Sequence, residues 1–262
     1  MPETLPTLVT IPISHYGERA RWALDHAGLD YHEVHHLQMF SWVASLSRGG
    51  GKTVPILLTG SGVLRDSADI VRYASERAEI PLYPNDPAAR EEVLRLEEGY
   101  AGAYGVETRR VVYEWFLRSF GEGLEYNAGR APAYQTAALS IGRHLAMPFV
   151  RSYLAVSEEA RARDVVSITR VMDEVSERLR DGRPYLCGEQ LSAADVTFAA
   201  MTAPSILPEQ YPVRLPRLEE IPPDAADQIR RWREHPAGGY ALRLYAERPL
   251  PRGRYLRPLR AR

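Results

Sequence analysis

Two rhythms of apolar and polar positions run along this chain. Residues 7–13, TLVTIPI, form a short β-branched run that predicts a strand. After it Ala20, Ala23, Leu24 and Ala27 recur at helical spacing until Gly28, which predicts a helix with a glycine stop. YHEVHHL (31–37) alternates as a second strand, so the opening reads as a βαβ unit. TVPILLTGSGVLRDS then offers two apolar runs joined by Gly60-Ser61-Gly62, the pattern of a hairpin. SADIVRYASERA follows as a helix with Ile70, Val71 and Ala74 on one face and Ser67 as its expected N-cap. The first part of the chain is therefore βαβ followed by ββα.

IPLYPNDP (80–87) carries three prolines in eight residues and reads as a linker. Beyond it the period is helical. Val93, Leu96, Tyr100, Ala103 and Tyr104 make one stripe within 88–118, and segments near 133–154, 158–180 and 192–203 repeat the pattern, with Pro148 expected to end or kink the first of them. Residues 204–223 are rich in proline and read as irregular, and two shorter helices are expected near 224–234 and 237–246. The 262 residues thus divide into a first domain at 1–79, a linker at 80–87 and an all-helical domain at 88–262 that ends in an irregular basic tail.

Composition narrows the class. Charged residues are 26% and the hydrophobic set 45%, and no run approaches the roughly 20 apolar residues of a membrane helix, so a soluble globular protein with no membrane partner is expected. The opening MPETLPTLVTIPI has no basic stretch leading into an apolar one, which points to the cytoplasm. Cys187 is the single cysteine; an intrachain disulfide, a CxxC redox pair and a multi-cysteine metal site are excluded. A net charge of −1 gives no reason to expect nucleic acid. Lys52 is the only lysine against a background of arginine, which draws notice to GGGKTVPILL as a place suited to a flexible point charge.

Four stretches carry candidate chemistry. Pro55 opens the strand PILL, where a missing N–H calls for a reason. LRDSADIVRY (64–73) sets Asp66 and Ser67 at a helix start, a place that attracts a carboxylate through its N–H groups and an ammonium through the acid. LCGEQLSAADVTFAA (186–200) sets Ser192 three residues before Asp195 as a variant capping box, with Leu191 and Val196 as a hydrophobic staple. SHYG (14–17) puts a hydroxyl at the mouth of the first helix, where it serves as a cap or turns, with the helix's positive end, towards whatever binds there.

Together these stretches resemble the glutathione transferase family. The resemblance implies an N-terminal thioredoxin-like βαβββα domain followed by an all-α domain. It implies glutathione as co-substrate, a small electrophile as the other substrate, no metal, and a homodimer. In the family's pattern Ser14 occupies the first position of the thioredoxin-like C-x-x-C and Gly17 the last, so the Ser14 hydroxyl is the implied partner of the glutathione thiolate, with Tyr16 and His15 as rivals beside it. Val54 before a cis Pro55 implies main-chain pairing with the cysteinyl residue of glutathione. Asp66 and Ser67 imply a grip on the γ-glutamyl end, and Lys52, assisted by Gln38, a counter-charge for the glycyl carboxylate, with Thr53 as one extra residue before the Val-Pro pair. The resemblance leaves open a non-enzymatic binding or regulatory protein and a glutathione-dependent isomerase or dehalogenase.

Other features carry plainer readings. His32, His35 and His36 lack the acid partner and second cluster of a metal site and read as a solvated strand edge. Tyr100, Tyr104 and Trp115 read as core or interface, Cys187 as a small buried residue, and the six arginines of 248–262 as a solvated tail.

Overall fold

The computed structural model describes residues 5–118, 126, 130–142 and 156–256, which form two compact units. One comprises Met1–Pro81, Leu124–Ile141 and Pro249–Arg262; the other comprises Leu82–Gly123 and Gly142–Arg248.

The first unit is built on a sheet. β1 (Thr7–Thr10), β2 (Tyr31–His35), β3 (Ile56–Thr59), β4 (Gly62–Leu64) and β5 (Gly253–Tyr255) lie in the order β4-β3-β1-β2-β5. β1 runs parallel to β2 and antiparallel to β3, and β3 pairs antiparallel with β4. Adjacent residues Leu8 and Val9 are both fully buried, so β1 is covered on both faces as a central strand must be. α1 (His15–His26) joins β1 to β2, and α3 (Ser67–Ser75) follows β4 and packs against α1. Gly28 after α1 has φ +67°, the left-handed conformation that lets the chain turn out of a helix.

A short helix absent from the sequence reading, α2 (Phe40–Leu46), stands between β2 and β3 and packs Ala44 against Val9 and Ile56. Its start gives no sequence signal: Met39 takes φ 67° at the N-cap and offers no capping side chain. Two further expectations are corrected. The tail after residue 248 is not irregular throughout, because Gly253–Tyr255 pairs parallel with β2, held by Arg252 N–H on Asp25 Oδ1 at 2.8 Å and by Leu256 N–H on the Glu33 carbonyl at 3.0 Å. Its arginines are partly paired, with Arg252 and Arg254 both on Asp30. Residues 133–142 are helical, but those up to Ile141 group with the sheet unit rather than with the later helices. Pro148 lies outside the described residues.

β2 is therefore flanked on both sides, and its histidines are not on a solvated edge. His35 is buried, and its Nε2 meets Glu33 Oε1 at 2.7 Å, the same oxygen that accepts from Arg21 Nε at 2.7 Å. Burial works against the Glu33 charge, but Arg21 and His35 more than offset it and hold the carboxyl at about 2. Burial likewise lowers His35, against the pull of Glu33.

The second unit is helical: α4 (Pro87–Gly99), α5 (Gly105–Arg118), α6 (Glu158–Arg178), α7 (Ala193–Ile206), α8 (Pro223–Glu234) and α9 (Pro236–Ala246). The stripe expected over 88–118 is interrupted by a π-helical turn, Tyr100–Tyr104, where Gly102 leaves helical geometry. The bulge delivers Tyr100 and Tyr104 to Phe198 of α7, and with Trp115 they are buried core residues, as the plainer reading had them. α7 is buried nearly all round. Cys187 is half-buried, and burial pushes its thiol up to about 11, the condition of an inert cysteine.

Candidate functional site

Strand register gathers the predicted residues of the first unit at one end of its sheet. Val9 pairs with Ile56, so Pro55 lies beside the C-terminal end of β1, where the chain turns into α1. Leu57 pairs with Leu64, so Asp66 emerges at that same end. Ser14, Val54-Pro55 and Asp66-Ser67 thus converge, although 53 positions of sequence separate the first from the last.

Ser14 is the N-cap of α1, its Oγ accepting from Gly17 N–H at 3.1 Å. That bond uses a lone pair and leaves the hydroxyl hydrogen to donate elsewhere. Gly17 is required by packing: a Cβ there would lie 2.3 Å from Thr10 Oγ1 on β1, so the helix start is pressed onto the strand that carries it. His15 is buried and Tyr16 half-buried, their rings 4.4 Å apart.

The Val54–Pro55 peptide bond is cis. The loop before it is fixed by Ser45 of α2, whose Oγ donates to the Thr53 carbonyl at 3.0 Å, and Lys52 is exposed on that loop. At α3 the roles of two neighbours differ from expectation. Asp66, not Ser67, is the N-cap, accepting from Ala68 N–H at 2.8 Å. Ser67 is the first helical residue, buried, with its Oγ accepting from Arg19 Nη1 at 3.1 Å. Asp66 holds the cap because it is the residue left in extended geometry just before the helix, from which a carboxylate oxygen reaches back to the second helical N–H, while Ser67 has already entered the helix.

Arg19 was not legible in the sequence, since a lone arginine on α1 carries no mark of being buried. Gln135 was missed for a different reason: its partners, Leu37 and His36, lie about a hundred residues away.

Known families match the chain in two places. Residues 8–84 match the model of the glutathione S-transferase N-terminal domain and residues 158–235 that of the C-terminal domain, together more than half of the chain. The chain belongs to the glutathione S-transferase family.

Solved structures agree on the fold. A theta class glutathione S-transferase from the citrus canker pathogen Xanthomonas axonopodis pv. citri, with glutathione bound, is 18% identical with a TM-score of 0.55, the match covering 94% of this chain and 98% of that one. FzlA from C. crescentus is 18% identical with a TM-score of 0.59, covering 94% and 89%. A glutathione S-transferase from Methylobacillus flagellatus KT, with glutathione bound, is 17% identical with a TM-score of 0.54, covering 90% and 98%. No curated protein matches the chain in sequence at a significant level. The family's N-terminal match ends at residue 84 and its C-terminal match begins at 158, so the stretch holding Gln135 belongs to neither.

The start of α7 is the second unit's counterpart to the cap at Ser14. Ser192 and Asp195 form the expected capping box: Ser192 N–H and hydroxyl donate to Asp195 Oδ2 at 2.7 and 2.6 Å, and Leu186 N–H and the Tyr240 hydroxyl donate to Oδ1 at 2.7 and 2.5 Å. Among the described residues no three His, Cys, Asp or Glu side chains gather to hold a metal, and no helix is long and apolar enough to cross a membrane.

Proposed function

We propose that this chain is a glutathione transferase of the serine type, acting in the cytoplasm as a homodimer, with residues 1–79 as the glutathione-binding domain. The observation that carries this reading is Ser14, a cap whose oxygen accepts from Gly17 N–H while its hydrogen is left to donate at the open end of α1. The thiol of glutathione, held there, loses its proton to solvent, and the thiolate accepts the Ser14 hydroxyl bond beside the positive end of the helix dipole. A free thiol titrates near 8.5, and lowering it to about 6.5 requires roughly 2.7 kcal/mol. One charge-assisted hydrogen bond of about 1.5–3 kcal/mol with a dipole contribution of about 0.3–1 kcal/mol supplies it. The thiolate then attacks the electrophilic carbon of a small co-substrate, the carbon–sulfur bond forming as the leaving group departs with its electron pair, or as the electrons move into an activated double bond.

The remaining residues position the tripeptide. Asp66 takes the γ-glutamyl ammonium while its other oxygen caps α3; Ser67 and the first N–H groups of α3 take the α-carboxylate. The Val54 main chain pairs with the cysteinyl residue, and Lys52 faces the glycyl carboxylate. Catalysis on this account is thiol activation and positioning, without a covalent enzyme intermediate. With Ser14 and Gly17 in place of a cysteine pair, reduction of mixed disulfides is expected to be negligible. The test is a calorimetric titration with glutathione followed by turnover against a panel of aryl and alkyl halides and activated alkenes. Saturable binding with conjugate formation supports the reading; binding without turnover of any panel member assigns the chain to the binding or regulatory class; no binding rejects both.

A further inference from the structure

We propose that Gln135 is a positioning residue for the glycyl end of the glutathione site, a role that rests on the function proposed above. Its side chain is fully buried in the sheet unit, contributed by a stretch outside both family matches. Oε1 accepts from Leu37 N–H at 2.8 Å, which fixes the amide's orientation and turns Nε2 towards His36 Nδ1 at 2.9 Å. Nε2 donates there, so His36 holds its proton on the other nitrogen. One amide thus grips two consecutive residues of the β2–α2 connection from outside.

Gln135 adds to ties the connection already has, His36 N–H on the Thr10 carbonyl at 3.0 Å and Ser41 N–H on the Leu37 carbonyl at 2.9 Å, and it is the one that reaches in from a distant stretch. Met39, in the positive-φ region at 67°, starts α2 with no capping side chain, and α2 is a single short helix of seven residues. At its far end Ser45 Oγ donates to the Thr53 carbonyl, and an added Cβ on Gly50 would meet Ser45 Oγ at 2.3 Å, so the Lys52 loop is folded tightly onto the end of α2. Besides the packing of Ala44 on Val9 and Ile56 along its length, α2 is tied to Gln135 where it begins and to the loop carrying Lys52 where it ends. A shift at the first moves Gln38 directly and Lys52 through the helix. Ser14, Asp66 and Ser67 hang from other elements, α1 and α3, and are untouched by such a shift.

The prediction is therefore a selective loss. Glutathione and γ-glutamylcysteine, which lacks the glycyl residue, are titrated calorimetrically into the parent chain and into Gln135→Leu, a substitution of similar size that removes both bonds. The parent is expected to prefer the tripeptide. In the variant the Kd for glutathione rises about tenfold while that for γ-glutamylcysteine changes less than twofold, so the preference collapses. Gln135→Glu, which keeps an acceptor for Leu37 N–H, serves where the leucine variant does not fold, and shows the same one-sided loss on a smaller scale. In a Lys52→Ala background, Gln135→Leu adds a smaller loss of glutathione affinity than in the parent, what remains being carried by Gln38. Equal weakening of both ligands, or no change in either, overturns the role of Gln135 while leaving the glutathione reading intact. A parent chain that takes up neither ligand removes the reading itself and the inference with it.

Discussion

Ser14 and Ser192 stand at the same place in their helices, and their surroundings make opposite use of it. At α7 the cap is closed by its own chain: Ser192 spends both its N–H and its hydroxyl on Asp195, and Leu186 and Tyr240 spend theirs on the same buried carboxylate. At α1 the Ser14 hydroxyl oxygen accepts from Gly17 N–H, and the residue sits half-buried at the end of the sheet where Val54-Pro55 and Asp66 also arrive. The difference separates a hydroxyl that serves the fold from one that still has a hydrogen to give. A third start, that of α2, has no capping side chain and depends on Gln135 from elsewhere in the unit.

The closed cap predicts the largest loss. Asp195→Ala leaves the Leu186 and Ser192 N–H groups and the Tyr240 hydroxyl without their acceptor in a buried site, and is expected to cost about 3–5 kcal/mol in a denaturant titration. A loss below about 1 kcal/mol would dissolve the contrast between the two serines, since the closed network would then matter no more than an ordinary cap.

Acid tests the start of α2. Burial, with Arg48 and His35 nearby, lowers His36 from the usual 6.5 to about 4. The unfolded chain therefore takes up a proton across that window and the folded chain does not. Stability from this group is complete above about 6.5 and is lost as pH falls towards about 4. Glu33, depressed from 4.5 to about 2, adds a loss that begins below 4.5. Denaturant titrations at a series of pH values should show the upper part of this decline shrink in His36→Gln, and an unchanged decline would mean that another group carries it.

Binding comes next. Asp66 both caps α3 and, on the proposed function, holds an ammonium group, and the two roles separate in Asp66→Asn. Asparagine caps as well as aspartate but carries no charge. Stability is expected to hold within about 0.5 kcal/mol while glutathione affinity falls by about 1.5–3 kcal/mol, the range of a hydrogen bond to a charged group. An unchanged affinity in calorimetry would leave Asp66 as a cap alone. The smallest effect belongs to Ser14→Ala measured by stability, about 1 kcal/mol for the loss of one N-cap.

How much of this was readable in the sequence depends on the range of the interaction. The βαβ and ββα units and the helices at 87–99, 158–178, 193–206, 223–234 and 236–246 follow from local periodicity and turn residues, and the capping box of α7 from a three-residue spacing. α2 was not readable because it has neither cap nor sufficient length to show a period. β5 was hidden because three residues, with Arg252 before them and Arg254 among them, become a strand only by pairing with β2 more than two hundred residues earlier. The buried state of Arg19, His35 and Gln135 is likewise set by partners distant in sequence or by strands that cover them. At the candidate site, the residue types followed from motifs, but their convergence on one sheet end came only with the strand register, and the division of labour between Asp66 and Ser67 depended on a backbone angle that the motif does not encode.

The claim that the open serine does chemistry is tested most directly by the thiolate absorbance of glutathione, followed against pH with the ligand at saturation. The parent chain is expected to show a titration below about 7.5, and Ser14→Ala one at least about one unit higher, with turnover falling sharply and glutathione affinity nearly unchanged. A Ser14→Ala variant that keeps the low titration contradicts the account, and if Tyr16→Phe loses it instead, the activating hydroxyl is the tyrosine and Ser14 is a cap like Ser192.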